Sequence, residues 1–164
     1  MTAVLTKLSA ADAAAFQALR LEGLAHHPSE FGAAYEEEAD LPLGEVAKRL
    51  DASSIFGAFV DDRLLAIAGF CRSGRIKKRH KGELFGVYVS REARGRGLGE
   101  TLVRHVVSKA KTEVEQLLVT VVSENLAAKR LYAKLGFETY GHEPRAHRVG
   151  DRYFDQTHMV LIFE

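Results

Sequence analysis

From residue 94 to residue 99 the chain reads Arg-Gly-Arg-Gly-Leu-Gly. This bend joins a β-rich stretch, Glu83 to Val89, to a long amphipathic helix running towards Glu113. Glycine lets the backbone approach a ligand closely. The first N–H groups of a helix lack intrahelical partners, and the helix dipole adds partial positive charge there. A glycine-rich bend entering a helix therefore has the parts of a phosphate cradle.

Two common phosphate loops do not fit. The dinucleotide fingerprint needs a small residue where this chain has Glu100, and its loop follows the strand directly, whereas Ser90 to Ala93 intervene. The G-x-x-x-x-G-K-[ST] loop needs a Gly-Lys pair followed by Ser or Thr at that spacing, and the chain has none. What remains is Arg-x-x-Gly-x-Gly, read from Arg94 through Gly97 to Gly99.

After a further helix and strand comes Asn125-Leu126-Ala127-Ala128-Lys129-Arg130-Leu131-Tyr132-Ala133-Lys134-Leu135-Gly136-Phe137. It reads as N-x-x-A-x-x-L-Y-x-x-L-G-F. Both elements, in this order, resemble those of the GNAT-type N-acetyltransferases, which use acetyl-coenzyme A (acetyl-CoA). One departure is local: relatives often carry proline and an aromatic before the bend, where this chain has Arg91 and Ala93.

The resemblance implies an α/β (α+β) fold in one domain over residues 1–164, with a mixed, mostly antiparallel twisted sheet. About six to seven strands would be flanked by about four helices, splayed at the cofactor-binding strand. It also implies a cofactor site made of Arg94, Gly95, Arg96, Gly97, Leu98 and Gly99 for the pyrophosphate. Val87, Tyr88 and Val89 would offer strand backbone to the pantetheine arm. The Val87 N–H would polarise the thioester carbonyl, and Asn125 would both cap its helix and touch the arm.

Tyr132 takes the position of the family's general acid towards the leaving thiolate. A phenol with an ordinary pKa of about 10 is protonated at neutral pH, as an acid must be. Glu83 stands where some histone-acetylating relatives have a catalytic base, and burial beside Phe85 is expected to raise its pKa. The acceptor would be a small-molecule or peptide amine. Phe31, Tyr35 and Glu36 fall in the segment that commonly lines the acceptor site, and His142 is a further candidate. The alternative is a non-catalytic acyl-CoA sensor.

Lys+Arg total 23 and Asp+Glu 22, a formal charge of +1, which argues against a general nucleic-acid binder. The basic run Arg72 to Lys81 reads as a solvated hairpin loop. The single cysteine, Cys71, lies in an apolar strand, is expected to be a buried structural thiol, and fits a reducing cytoplasm. No apolar run approaches a membrane span and no signal peptide is evident, so the chain is expected to be soluble and cytoplasmic. The histidine pair His26-His27 lacks a carboxylate or cysteine at ligand spacing, so no metal site is expected. Nothing in the sequence decides between a monomer and a homodimer.

Local patterns fill in the rest. Ser9 with Asp12 starts a helix that Pro28 ends near His26. Leu43 to Asp51 is a short helix, and Ile55 to Val60 with Leu64 to Cys71 is a hairpin across Asp61-Asp62-Arg63. Period-two alternation puts Glu83, Phe85, Val87 and Val89 on one side of their strand and Leu84, Gly86 and Tyr88 on the other. Leu98, Leu102, Val103, Val106, Val107 and Ala110 form the sheet-facing stripe of the next helix. The apolar run Leu117 to Val122 reads as a buried parallel strand, Phe137 to Tyr140 and Tyr153 to Phe163 as strands, and Gly141 to Asp151 as a polar loop.

Overall fold

The computed structural model describes residues 2–164. In chain order the elements are β1 (Val4–Lys7), α1 (Ala13–His26), α2 (Tyr35–Glu38), α3 (Leu43–Ala52), β2 (Ser54–Val60), β3 (Arg63–Arg72), β4 (Lys81–Val89), α4 (Leu98–Ala110), β5 (Gln116–Val122), α5 (Leu126–Lys134), β6 (Glu138–Val149) and β7 (Arg152–Ile162). The strands form one sheet in the order β1-β2-β3-β4-β5-β7-β6. Only the pair β4 and β5 is parallel, because α4 carries the chain back across the sheet between them.

Helices cover both faces. On one, Leu98, Leu102, Val103, Val106 and Ala110 of α4 and Tyr132 of α5 pack on Phe56, Ala58, Ala66, Ala68, Leu84, Val119 and Met159. Leu102, Val103 and Val106 are fully buried, and burial of such a side chain is worth about 1.5–3 kcal/mol. On the other face Ala13 and Leu19 of α1 and Val46 and Leu50 of α3 meet Leu8, Ile55, Ile67 and Tyr88. The hairpin of β2 and β3 turns at Asp61 and Asp62, both at positive φ, as a tight two-residue turn requires.

The expected alternation along β4 breaks. Ile67 pairs with Tyr88 and Gly69 with Phe85, so Ala68 alone faces both Gly86 and Val87. This is a β-bulge, and Gly86 takes the φ of +63° that it demands. One extra residue reverses the pleat: Val87 and Val89 join Leu84 against the α4 face, while Tyr88 turns to α1.

Two further expectations are corrected. The stretch 141–151 is not a loop: β6 runs to Val149 and turns at Gly150 and Asp151 into β7. As the last strand of the sheet it carries mostly exposed residues, so it lacks the apolar face that marks a strand in sequence. Cys71 is exposed. Helical cover ends at Phe70, and the last two residues of β3 lie beyond it. The basic segment between β3 and β4 is exposed as expected, with one 3-10 turn at Ile76–Lys78.

Candidate active site

β4 and β5 pair only as far as Leu84 with Val119. Beyond it β4 stays with β3 to Val89 and β5 stays with β7 to Val122, so the strands part and their facing edges open onto a cleft. The parting begins at the Gly86 bulge, which bends β4. The cleft, of about 130 Å³, is lined by Leu84 to Val87, Val119 to Val122, Asn125, Ala128, Leu131 and Tyr132, with Glu30 and Phe31 at its mouth.

Tyr132 is 5% exposed and meets Phe137 edge to face, with ring centroids 5.6 Å apart. Burial, and secondarily the charge of Glu30, push its pKa up, so the hydroxyl keeps its proton. Asn125 works at both ends of its amide. Its Oδ1 accepts from the Ala128 N–H at 3.1 Å and caps α5, while its Nδ2 donates to Glu30 Oε1 at 3.1 Å.

The glycine bend lies at the N-terminus of α4. Gly97 is the N-cap with φ +74°, and a Cβ added at Gly95 or Gly97 would meet nothing within 4 Å. The backbone here is open to solvent on the side where those side chains would stand. A Cβ at Gly99 would come within 3.1 Å of Val89 Cγ2, so α4 lies close on the end of β4. Leu98 is buried and anchors the first turn.

Arg94 ties this bend to α1. Its Nε donates to the Val89 carbonyl at 3.3 Å, its Nη2 donates to His27 Nε2 at 2.7 Å, and its guanidinium lies over the Tyr88 ring. Tyr88 donates to Glu22 Oε2 at 2.6 Å; burial and that carboxylate push its pKa up to about 12. The Tyr88 side chain thus belongs to the α1 face and not to the cleft. Arg96 lines a separate groove with Arg63 and Glu92, which form an ion pair.

His27 has its pKa lowered, first by burial and then, among charges, by Arg94, against an opposing pull from Glu30. The folded chain therefore binds less proton than the unfolded chain just below the ordinary 6.5. This contribution to stability is present above that value and is lost as pH falls through the lowered one. We expect the melting temperature to drop between pH 7 and pH 5, and His27→Gln to flatten part of the drop. An unchanged pH profile in the variant would remove His27 as its source.

On the far side of Leu84 the cleft opens into a wider chamber of about 390 Å³. Its walls include Arg20, Glu30, Phe31, Glu83, Thr120, His147 and Gln156. Phe31, Tyr35 and Glu36 line an outer cavity with Ala146 to Gly150 of β6 and its turn. Glu83 is exposed, so the burial expected beside Phe85 does not occur; Phe85 itself is 36% exposed. His142 sits on β6 with its Nε2 3.2 Å from Asp155 Oδ2, outside the walls of all three cavities.

The structure thus brings Val87, Asn125 and Tyr132 to one cleft with Phe31 at its mouth, while Tyr35 and Glu36 line the outer cavity that Phe31 shares. It adds residues that no motif marks: Glu30, Arg20, Thr120, His147 and Gln156. His147 holds the wall together. The Ser29 carbonyl lies 3.0 Å from its Nδ1, which must carry the hydrogen, and its Nε2 accepts from Gln156 Nε2 at 2.9 Å. Among the described residues no group of three or more His, Cys, Asp or Glu is arranged to hold a metal ion.

Residues 16–137 match the acetyltransferase (GNAT) family. The chain is 34% identical over 76 residues to an L-methionine sulfoximine/L-methionine sulfone acetyltransferase of Pseudomonas aeruginosa, 46% of this chain and 44% of that protein. It is 32% identical over 133 residues to a mycothiol acetyltransferase of Streptomyces scabiei, 79% of this chain and 40% of that one. The chain spans less than half the length of these curated relatives. An acetyltransferase of the GNAT family from Streptococcus pneumoniae has the same fold, with TM-score 0.87 and 23% identity over 99% of this chain and 100% of that one. So does yncA of Salmonella typhimurium, solved with its cofactor acetyl-CoA, at TM-score 0.83 and 20% identity over 100% of this chain and 95% of that one.

Proposed function

The chain belongs to the acetyltransferase (GNAT) family, and from that premise we propose that it transfers an acetyl group from acetyl-CoA to a primary amine, directly, in a ternary complex. The observation that carries this reading is the parting of β4 from β5 beside an open glycine cradle. A cradle at a helix N-terminus suits a pyrophosphate, and an unpaired strand edge suits an amide-bearing arm.

In this reading Arg94, Gly95, Arg96, Gly97, Leu98 and Gly99 hold the pyrophosphate. Val87, Tyr88 and Val89 present backbone to the arm, and Asn125 borders it. When bound, acetyl-CoA supplies an acetyl group activated as a thioester. The Val87 N–H serves as the donor for developing oxyanion charge. Tyr132 keeps its proton through burial and gives it to the leaving sulfur.

The acceptor enters from the chamber side, past the outer cavity lined by Phe31, Tyr35 and Glu36, and Glu83 in the chamber adds negative charge that attracts an ammonium group. A chamber of about 390 Å³ and the substrates named for the two relatives support a small-molecule amine. Among the described residues no helix is long and apolar enough to cross a membrane. We take the site of action to be the cytoplasm, where acetyl-CoA is available.

The test is thiol release from acetyl-CoA, with calorimetric binding alongside, across amino acids, polyamines, aminoglycosides and peptides with free N-termini. Turnover on one class establishes the transferase and its acceptor. Binding without turnover favours an acyl-CoA sensor, and absence of binding overturns the cradle.

A further inference from the structure

Glu30 is the one carboxylate that lines both the narrow cleft with Tyr132 and the wider chamber with Glu83. On this, and resting on the transferase reading above, we infer that Glu30 receives the acceptor's ammonium group and takes its proton. Glu83 lines the chamber alone.

The carboxylate is held from several sides. Asn125 Nδ2 donates to Oε1 at 3.1 Å, and Asn125 is itself fixed because its Oδ1 caps α5. Oε2 lies 3.9 Å from His27 Nδ1. Because His27 Nε2 accepts from Arg94, Nδ1 is the nitrogen that carries hydrogen, so a neutral N–H faces the carboxylate. Backbone on either side is pinned as well. The Ser29 carbonyl accepts from His147, while the Phe31 ring packs on Tyr88 at 6.2 Å and beneath the Arg20 guanidinium at 5.2 Å. Such a group is preorganised for one position.

Apart from Glu83, the other charged and imidazole groups of the chamber are engaged elsewhere. Arg20 is committed to Glu38 through two hydrogen bonds, and both His147 nitrogens are engaged. The Glu30 side chain is 36% exposed, so a proton taken there passes to water. The protons balance. The ammonium gives one proton to Glu30, the N–C bond forms as the C–S bond breaks, and the sulfur takes the proton of Tyr132. The nitrogen's second proton, shed as the amide forms, restores the Tyr132 phenol through solvent, the Glu30 proton passes to water, and one proton is released overall.

The experiment compares the parent chain with Glu30→Gln, Glu30→Asp and Glu83→Gln. It measures thiol release with methionine sulfoximine, spermidine and an alanine-initiated peptide as probe amines, acetyl-CoA affinity by calorimetry, and thermal melting. Glu30→Gln keeps the shape and the Asn125 contact but removes the base. We expect kcat to fall about tenfold or more, with acetyl-CoA affinity within about threefold. Glu30→Asp should retain more rate than Glu30→Gln although it fits less well, and Glu83→Gln should lose less than Glu30→Gln. A Glu30→Gln variant at the parent's rate, a larger loss in Glu83→Gln, or Gln outperforming Asp overturns the assignment. A parent chain that binds acetyl-CoA yet acetylates none of the probes counts instead against the transferase reading.

Discussion

The Gly97→Asp substitution is expected to weaken acetyl-CoA binding by about a hundredfold or more while leaving the fold intact. Position 97 has φ +74°, a region Asp and Asn enter more readily than other residues with side chains, and Asp is a favoured N-cap, so α4 keeps its start. The new side chain has room, since nothing lies within 4 Å of the added Cβ. What changes is charge at the mouth of the cradle. A carboxylate about 4 Å from a phosphate costs about 1–4 kcal/mol, depending on the effective dielectric, and a pyrophosphate presents two such groups. Gly97→Asn separates charge from shape and should retain most of the affinity. Calorimetry and melting curves on the two variants decide the matter. Asp binding within threefold of the parent would remove this bend from the cofactor site.

Tyr132→Phe should lower kcat about a hundredfold, the usual worth of a positioned acid, with acetyl-CoA affinity nearly unchanged. The ring is 5% exposed and its edge contact with Phe137 survives the change, so stability should move little. The phenol suits the task because burial and Glu30 keep it protonated well past its ordinary 10.0. Its acid form is thus present across the neutral range. It follows that any alkaline fall in kcat below pH 10 arises from another group and should persist in the Phe variant's residual activity. A variant with the parent's kcat would leave Tyr132 as a packing residue.

The donor side of this architecture is legible in sequence because its parts are local. A helix start, a glycine bend and an asparagine cap each occupy a few consecutive residues, and α4 and α5 follow from their spacing. The acceptor side is assembled from a distance, and there sequence reasoning runs out. Glu30 gains its place from Asn125, 95 positions on, and its neighbour Ser29 from His147, 118 positions on. No short pattern records such a contact. The Gly86 bulge was hidden for another reason. Glu83 to Val89 alternates cleanly on paper, and only the pairing with β3 inserts the extra residue. Glu83 is expected to be buried beside Phe85, yet the face of β4 that carries both is exposed while Gly82 and Leu84 on the other are buried.

The terminal strands carry a consequence for behaviour in concentrated solution. β1 and β6 end the sheet, and an unpaired strand edge is a template for a second chain. β1 offers only four residues. β6 offers twelve, but Pro144 has no N–H to give, Arg145 sits at positive φ, and the register slips between Glu143 and His147. A strand laid along β6 from outside would lose its ladder midway. The edge strand whose residues 146–149 line the outer cavity therefore also discourages sheet-to-sheet aggregation, and substituting Pro144 would remove part of that protection.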